Sequence, residues 1–246
     1  VQRYLPAKRA WRLLSPPVIT GTGTSHTISE AWQEGQAFNY NNTTNAAASQ
    51  ASDSIVNSGF ATLISGGPGK TTADGFDVGQ ANTKASILQY DKSVSPNVWK
   101  APSNTNSTLV SSERGWMLFV RGDRKSYGVI DNQFHTPTVT TLRPRGQINT
   151  GDIRVPATGT LTGLQVVGNP YACALDFHAA YNTTKAANGG TLPYADKYWI
   201  WDPYMGGSNG VGSFVSLSSW SGGAYTRSAP LTGTGTSTID NQYIPS

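Results

Sequence analysis

The chain has 246 residues, of which 13% are charged and 37% hydrophobic, and it owes its polarity to 25 Ser, 28 Thr and 16 Asn. This composition excludes a wholly disordered chain and a coiled coil, and no apolar run approaches the roughly 18 residues of a membrane span. The net charge of +4 comes from Arg3, Lys8, Arg9 and Arg12; the rest of the chain, with equal numbers of basic and acidic residues, argues against a nucleic-acid partner.

Most segments with a periodic pattern are predicted to be short β-strands. They run apolar or alternate, are rich in Val, Ile, Thr, Trp and Tyr, and end at turn residues. In chain order, the predicted strands are 9–14, 85–90, 98–100, 115–121, 140–145, 152–155, 161–167, 197–202, 211–217 and 224–227. Helical periodicity is confined to 27–34 and 174–187. The pattern predicts an all-β fold with one or two short helices. We expect a β-sandwich or jelly-roll-like module over residues 1–246, with two packed β subdomains as the alternative.

Three further segments are predicted to be loops or turns. Residues 39–59 are the longest polar stretch and are predicted to form an exposed loop. Gly66-Gly-Pro-Gly-Lys-Thr71 lacks the spacing of a phosphate-binding loop, and no helix pattern follows it, so we predict a turn. Arg121-Gly-Asp123 matches a cell-adhesion tripeptide, but it follows an apolar strand and is interpreted as a turn.

No residue pattern predicts an enzyme. His26, His135 and His178 lack metal-ligand spacing, and no Gly-x-Ser-x-Gly motif is present, although a triad assembled by the fold remains an alternative. No two carboxylates follow a recognisable glycosidase pattern. We predict no cofactor, and the alternative is a structural calcium ion held with the help of Asp196 and Asp202.

Two predictions concern burial in the second half of the chain. The lone cysteine, Cys173, has apolar neighbours and is predicted to be a small buried residue. Alternation in strand 197–202 places Trp199 and Trp201 on one face, where two tryptophans favour a core role. The alternative is a sugar-binding surface on which Trp199, Trp201 and Tyr204 stack against glycan rings.

Several stretches, taken together and in order, resemble a known family. They are Arg3-Tyr-Leu-Pro-Ala-Lys-Arg-Ala-Trp-Arg-Leu-Leu14, Ala31-Trp-Gln-Glu-Gly35, Gly115-Trp-Met-Leu-Phe-Val-Arg-Gly-Asp-Arg124, Thr141-Leu-Arg-Pro-Arg-Gly146, Val167-Gly-Asn-Pro-Tyr171, Tyr198-Trp-Ile-Trp-Asp-Pro203 and Gly206-Gly-Ser-Asn-Gly-Val-Gly212. The set is similar to modules within large surface-exposed proteins of Bacteroidetes, many of which carry a type IX secretion sorting domain. This resemblance implies export and an all-β fold, and it brings no catalytic residues.

The sequence departs from that family pattern at its end. Such modules usually continue into a Gly-Gln-Ala-Phe-Phe-Val-like strand, whereas this sequence stops at Ile244-Pro-Ser246 and carries no sorting domain. Without that strand a sheet edge would be unpaired, and a strand from a neighbouring subunit would complete it. We predict that the donor is segment 1–14, with subunit contacts made by Arg3, Tyr4, Leu5, Trp11 and Leu13.

These features together predict a secreted, non-enzymatic structural protein of a bacterial cell surface. We expect it to self-associate into a filament by sharing strands between subunits. The alternative is an adhesin or carbohydrate-binding module whose partner is a surface glycan. Asp53-Ser54-Ile55 also resembles the O-glycosylation site used by Bacteroidetes, which predicts a modified Ser54 in the exposed loop.

Overall fold

The computed structural model describes most of the chain. The described residues are 1–19, 25–35, 59–77, 84–93, 98–112, 114–124, 136–154, 164–206, 210–228, 237, 239–240 and 242–245. The strands are β1 (Arg3–Leu5), β2 (Ala10–Leu14), β3 (Val18–Ile19), β4 (Ser25–Thr27), β5 (Ile87–Asp91), β6 (Val98–Lys100), β7 (Leu109–Ser111), β8 (Trp116–Val120), β9 (Thr140–Leu142), β10 (Gln147–Ile148), β11 (Leu175–Asp176), β12 (Lys197–Asp202), β13 (Ser213–Ser221), β14 (Ala224–Arg227) and β15 (Tyr243–Ile244). The α-helices are α1 (Ile28–Trp32) and α2 (Phe177–Ala187), and one 3₁₀ turn lies at Thr72–Asp74.

The predicted all-β class is confirmed. Within the described residues the strands form six small sheets, and every strand pair is antiparallel. The largest sheet has four strands in the order β2-β8-β5-β6, and the next has three in the order β12-β13-β14. The other pairs are β1 with β9, β3 with β10, β4 with β7 and β11 with β15. A sandwich or jelly-roll packing of these sheets remains a prediction.

Three predicted strands, β6, β12 and β14, have the observed bounds, and β2, β5, β8, β9 and β13 differ at their ends. The strands predicted at 152–155 and 161–167 are wrong where the structure describes them, because 152–154 and 164–167 pair with no strand. Within the first of these segments, the backbone N–H of Ile153 donates a hydrogen bond to the Tyr171 hydroxyl at 3.3 Å. A backbone donor satisfied in this way needs no neighbouring strand.

Both predicted helices are present, and each begins at a side-chain cap. Thr27 and Glu30 form a capping box, in which Glu30 N donates to the Thr27 hydroxyl and Thr27 N donates to the Glu30 carboxylate, at 3.2 and 2.9 Å. Asp176 caps α2 by accepting from Ala179 N at 2.9 Å. Neither helix is long and apolar enough to cross a bilayer, and the described residues contain no other candidate span.

The larger hydrophobic cluster joins α1 to the four-stranded sheet. Trp32 of α1 meets Trp116 of β8 edge-on, with ring centroids 6.4 Å apart. The cluster also receives buried side chains from β1, β2, β5, β7 and β9. Segment 1–14 therefore contributes core residues, namely Leu5 and Leu14, as well as strand edges.

An ion pair lies inside this half of the molecule. The side chains of Arg124 and Asp77 are 1% and 0% exposed, and Arg124 Nη2 lies 2.6 Å from Asp77 Oδ1. Asp77 Oδ2 accepts from Gln33 Nε2 and from Ile64 N, at 3.0 and 2.8 Å. Arg124 Nη1 donates to Gln33 O at 2.6 Å. Because both charges are paired and hydrogen-bonded, the pair fixes α1 to the loops at Ile64 and Arg124.

His26 is a buried titratable group whose charging opposes folding. Burial lowers the pKa of His26, and Glu30 offsets this only in part; its Nε2 is buried and makes no hydrogen bond. The unfolded chain therefore binds a proton more readily below the ordinary histidine pKa of about 6.5.

We expect the free energy of unfolding to fall between pH 7 and pH 5.5, by at most about 1.4 kcal/mol per pH unit from this one group. Urea unfolding of the wild type and of His26→Gln tests this, and an equally steep fall in both proteins would contradict it.

A second, smaller cluster lies between α2 and the three-stranded sheet. Its buried members are Tyr198, Leu217 and Tyr225, and Phe177 of α2 packs on it with its ring centroid 4.6 Å from that of Tyr198. No residue of α2 is itself buried. The helix thus covers one face of β12 while keeping most of its own surface in solvent.

Candidate functional site

Segment 1–14 lies in the sheets of its own chain. β1 pairs with β9, and β2 forms an edge of the four-stranded sheet by pairing with β8. Of the predicted subunit-contact residues, Leu5 is buried, Arg3, Trp11 and Leu13 are half-buried, and Tyr4 is 63% exposed. Their role between subunits remains a prediction.

Arg12 lies on the inward face of β2. Burial alternates along this strand, so that Ala10, Arg12 and Leu14 are buried while Trp11 and Leu13 are partly exposed. Arg12 is 8% exposed, and its Nε and Nη2 are buried without a hydrogen-bond partner. The sequence contains this signal, because strand alternation alone places an arginine on the same face as Ala10 and Leu14.

Tyr204 is brought to this arginine by the turn that follows β12. Tyr204 N donates to Asp202 Oδ1 at 2.9 Å, and Asp202 Oδ2 accepts from the Ser237 hydroxyl at 2.6 Å. Downstream of the turn, Val211 O accepts from Trp11 N at 2.9 Å, which connects the turn region to the edge of β2. Tyr204 itself is 58% exposed. The turn therefore holds the largely exposed ring of Tyr204 beside segment 1–14.

Arg3, Lys8, Arg12 and Tyr204 form what we term the basic-aromatic cluster. The Tyr204 hydroxyl hydrogen-bonds to Arg12, and Lys8 Nζ lies 5.4 Å from the centroid of the Tyr204 ring. Burial, followed by repulsion from Arg12, lowers the pKa of Arg3 to about 10. Burial also lowers the pKa of Arg12, and Tyr204 offsets part of that effect. The cluster is thus a site with unbalanced positive charge.

The three predicted glycan-stacking residues differ in how exposed they are. Trp199 is 37% exposed, with Lys197 Nζ 4.7 Å from its ring centroid. Trp201 packs edge-on against Phe214, with ring centroids 4.9 Å apart. The core role favoured for the two tryptophans is wrong for Trp199, whereas Trp201 is half-buried and its Nε1 is buried. The buried residues of β12, Tyr198 and Asp202, lie on the opposite face. Of the three residues, Trp199 and Tyr204 remain accessible to a ligand.

The fold also assembles a histidine network that sequence spacing does not reveal. Asn182 Nδ2 donates to His178 Nε2 at 2.9 Å, so His178 Nδ1 carries the proton that it donates to Asp196 Oδ2 at 2.9 Å. The Tyr225 hydroxyl donates to Asp196 Oδ1, and the Trp220 ring stacks on the imidazole with centroids 4.1 Å apart. Burial, followed by the hydrogen bond to Asp196, raises the pKa of Tyr225.

This network does not have the arrangement of a hydrolase triad. Both imidazole nitrogens of His178 are engaged, one by a carboxylate and the other by an amide, and among the described residues no serine or cysteine hydrogen-bonds to either. A nucleophile would need the position that Asn182 holds. Only the i, i+4 spacing of His178 and Asn182 on the predicted helix was available from the sequence, because Asp196 and Tyr225 arrive from other elements. That the chain is not an enzyme remains a prediction.

The proposed calcium ligands lie too far apart to share one ion. Asp196 precedes β12 and Asp202 ends it, which at about 3.3 Å per residue separates them by roughly 17–20 Å. Among the described residues, no group of three or more His, Cys, Asp or Glu side chains is arranged to hold a metal ion. The predicted absence of a cofactor, with a structural calcium ion as the alternative, remains a prediction.

The turn predicted at Gly66–Thr71 is confirmed, the tripeptide at Arg121–Asp123 contains a bend at Gly122, and one burial prediction is wrong. Lys70 N donates to Gly67 O at 3.2 Å, closing a turn that leads only into the 3₁₀ turn at Thr72–Asp74. In the adhesion-like tripeptide, Asp123 is buried and accepts from Gly59 N at 2.5 Å, so it is not displayed to a receptor. Cys173 is exposed rather than buried, because it lies in a surface bend before β11.

Ser54 and nearly all of loop 39–59 lie outside the described residues, as does His135. Modification of Ser54 therefore remains a prediction. Comparison with protein-family models, with curated proteins and with solved structures found no match to this chain. The resemblance to Bacteroidetes surface modules likewise remains a prediction from the motifs.

Proposed function

We propose that this chain is a secreted, non-enzymatic structural module of a bacterial surface that assembles into filaments by sharing strands. Its low charge and its Thr- and Gly-rich composition support this proposal. Outside the first twelve residues basic and acidic residues balance, so copies experience little mutual repulsion. Assembly then depends on which part of the chain can leave its own sheet.

The observation that carries the proposal is the placement of segment 1–14. Within the described residues each of its two strands has one strand partner, β9 for β1 and β8 for β2, and beyond β2 the backbone contact is the hydrogen bond from Trp11 N to Val211 O. Both partners are distant in the chain, as the registers Leu5 with Thr140 and Leu14 with Trp116 show. When copies exchange this segment, each strand therefore keeps an equivalent partner in the neighbouring copy, and few contacts are lost.

The connection after β2 supports exchange. Ser15, Pro16 and Pro17 are the whole link between Leu14 and the start of β3. Proline restricts itself and the residue before it to extended conformations, which favours a straight link over a tight turn. A short hinge of this kind is a common origin of strand swapping.

A mixed-chain disulfide tests strand sharing directly. Trp11 and Phe119 are paired in register, are both partly exposed, and are within the Cα distance that a disulfide spans. In a Cys173→Ser background, we expect oxidation of a mixture of Trp11→Cys and Phe119→Cys chains to give a covalent mixed dimer. The readout is non-reducing electrophoresis followed by electron microscopy.

The matched control is the double variant with both cysteines in one chain. Its internal disulfide locks segment 1–14 in place, so we expect monomers until a reductant is added. If the double variant closes internally while the mixture never gives a mixed dimer, segment 1–14 is not shared between copies. Monodisperse monomers of the wild type under all conditions would refute the filament.

A second candidate function is carbohydrate binding, which the exposure of Trp199 and Tyr204 favours. Exposed aromatic rings beside a lysine suit the apolar face and the hydroxyls of a sugar. We expect Trp199→Ala to weaken a glycan-array signal by about tenfold, the equivalent of ~1.4 kcal/mol. Trp99→Ala, which removes a half-buried tryptophan beside Tyr90, is the control. Equal signals for both variants would count against a sugar site at Trp199.

A further inference from the structure

Two arginines of the basic-aromatic cluster lack the partner that buried charges normally have. Arg12 is 8% exposed, and its polar contact is the Tyr204 hydroxyl, which carries no charge. Arg3 is half-buried, and the charged group that acts on it is Arg12. No carboxylate in the described part of the chain pairs with either guanidinium. Because buried cations are almost always paired, this arrangement is incomplete by itself.

The two donor atoms of Arg12 that lack an acceptor indicate which chemical group would pair with this arginine. Nε and Nη2, the two donors without a partner, form one edge of the guanidinium. The same edge of Arg143 holds Glu34, with Nε to Oε1 at 3.1 Å and Nη2 to Oε2 at 2.7 Å. The same edge of Arg124 holds Asp77. Arginine binds planar carboxylates in this side-on geometry, and the same edge of Arg12 has no acceptor. Because Nε and Nη2 are buried, a carboxylate reaches them only when the side chains that cover them move aside.

We propose that Arg3 and Arg12 form an oxyanion site for the carboxylate of an acidic sugar. Arg3 keeps contact with solvent and meets the anion first, and Arg12 provides the second cation behind it. The exposed Tyr204 ring, attached to Arg12 through its hydroxyl, supports the face of the sugar. Lys8 adds an outer charge for a neighbouring uronate, because it lies above the same ring. The sugar part of this proposal deepens the second candidate function and rests on it.

The site does not depend on strand sharing. Arg3, Lys8 and Arg12 belong to segment 1–14, and Tyr204 belongs to the body that receives it. Exchange between copies brings the same four side chains together, with the segment coming from a neighbour. Anion binding and filament formation can therefore succeed or fail separately.

Isothermal titration calorimetry at low salt tests the proposal with three probes. They are a hexagalacturonate, inorganic sulfate and a neutral galactose oligosaccharide, each added to the full chain. We expect the uronate to bind and the neutral sugar not to bind. Arg12→Gln and Arg3→Gln should each weaken uronate binding by at least about tenfold, since each removes a charge-assisted contact. Lys100→Gln, which removes an exposed charge from β6 at the opposite edge of the four-stranded sheet from β2, should leave it unchanged.

Two further readouts separate binding from a merely structural role. Without ligand, Arg12→Gln should be no less stable to heat than the wild type, because it removes a buried repulsion. Tyr204→Ala, at an exposed position, should weaken uronate binding but not sulfate binding. Absence of binding by uronate and sulfate would overturn the site, and so would binding that Arg3→Gln and Arg12→Gln leave unchanged. Binding of sulfate alone would uphold the oxyanion site and overturn the acidic sugar, without bearing on the filament.

Discussion

We expect Asp77→Ala to lower the free energy of unfolding by about 3–5 kcal/mol, because it removes the buried carboxylate that lies against the buried Arg124 guanidinium. Asp77 accepts hydrogen bonds from Arg124, Gln33 and Ile64 N, so its removal leaves several buried donors unsatisfied. Equilibrium unfolding in urea, followed by tryptophan fluorescence, measures this loss.

Two comparisons separate the buried charge from general effects of substitution. Arg145→Gln affects a guanidinium 84% exposed and 3.9 Å from Glu34, and should change the free energy of unfolding by less than about 0.5 kcal/mol. Asp77→Leu combined with Arg124→Met removes both charges of this pair and should be less damaging than Asp77→Ala. A double variant as unstable as Asp77→Ala would show that packing, not charge, accounts for the effect.

Gly122→Ala is expected to lower the free energy of unfolding by about 2–4 kcal/mol through backbone strain and steric overlap. Gly122 has φ of +144°, which favours glycine, and a Cβ there would lie 2.3 Å from Thr138 Oγ1 and 2.8 Å from Thr138 N. The Thr138 hydroxyl already accepts from Asp123 N, so it cannot move away without losing that bond. Thermal and urea unfolding measure the effect.

Gly69→Ala is the matched comparison for Gly122→Ala. Gly69 also has positive φ, +76°, but nothing lies within 4 Å of a Cβ built on it. We expect a cost of about 1 kcal/mol from the backbone alone. If Gly122→Ala lost no more stability than Gly69→Ala, the steric overlap with Thr138 would contribute nothing to the free energy of unfolding.

The sequence predicts the fold best where a strand has enough residues to show a period. β12 has six residues, with Tyr198 and Asp202 buried on one face and Lys197 and Trp199 exposed on the other, and its bounds were predicted. β3, β10 and β15 have two residues each, which is too few to show any alternation. These short strands exist because a distant partner is placed beside them, and that information is not local.

The sequence of β12 does not show which of the two faces of the strand is covered. Alternation separates Trp199 from Tyr198 and Asp202 but does not say which side meets the core. Contact with Phe177 of α2 buries the Tyr198 side. Composition predicts that the face with the two tryptophans is buried, whereas in the structure α2 covers the face with Tyr198.

The basic-aromatic cluster shows the same division between local and distant information. The excess of positive charge in the first twelve residues follows from the sequence by counting, and strand alternation places Arg12 on one face with Ala10 and Leu14. That this face is the buried one follows only from the folded chain. The lack of a carboxylate beside Arg12, and the presence of Tyr204, follow only from the folded chain. Local propensity and period act over a few residues. The pairing of charges, by contrast, depends on which distant segments the sheets and turns bring within a few ångströms.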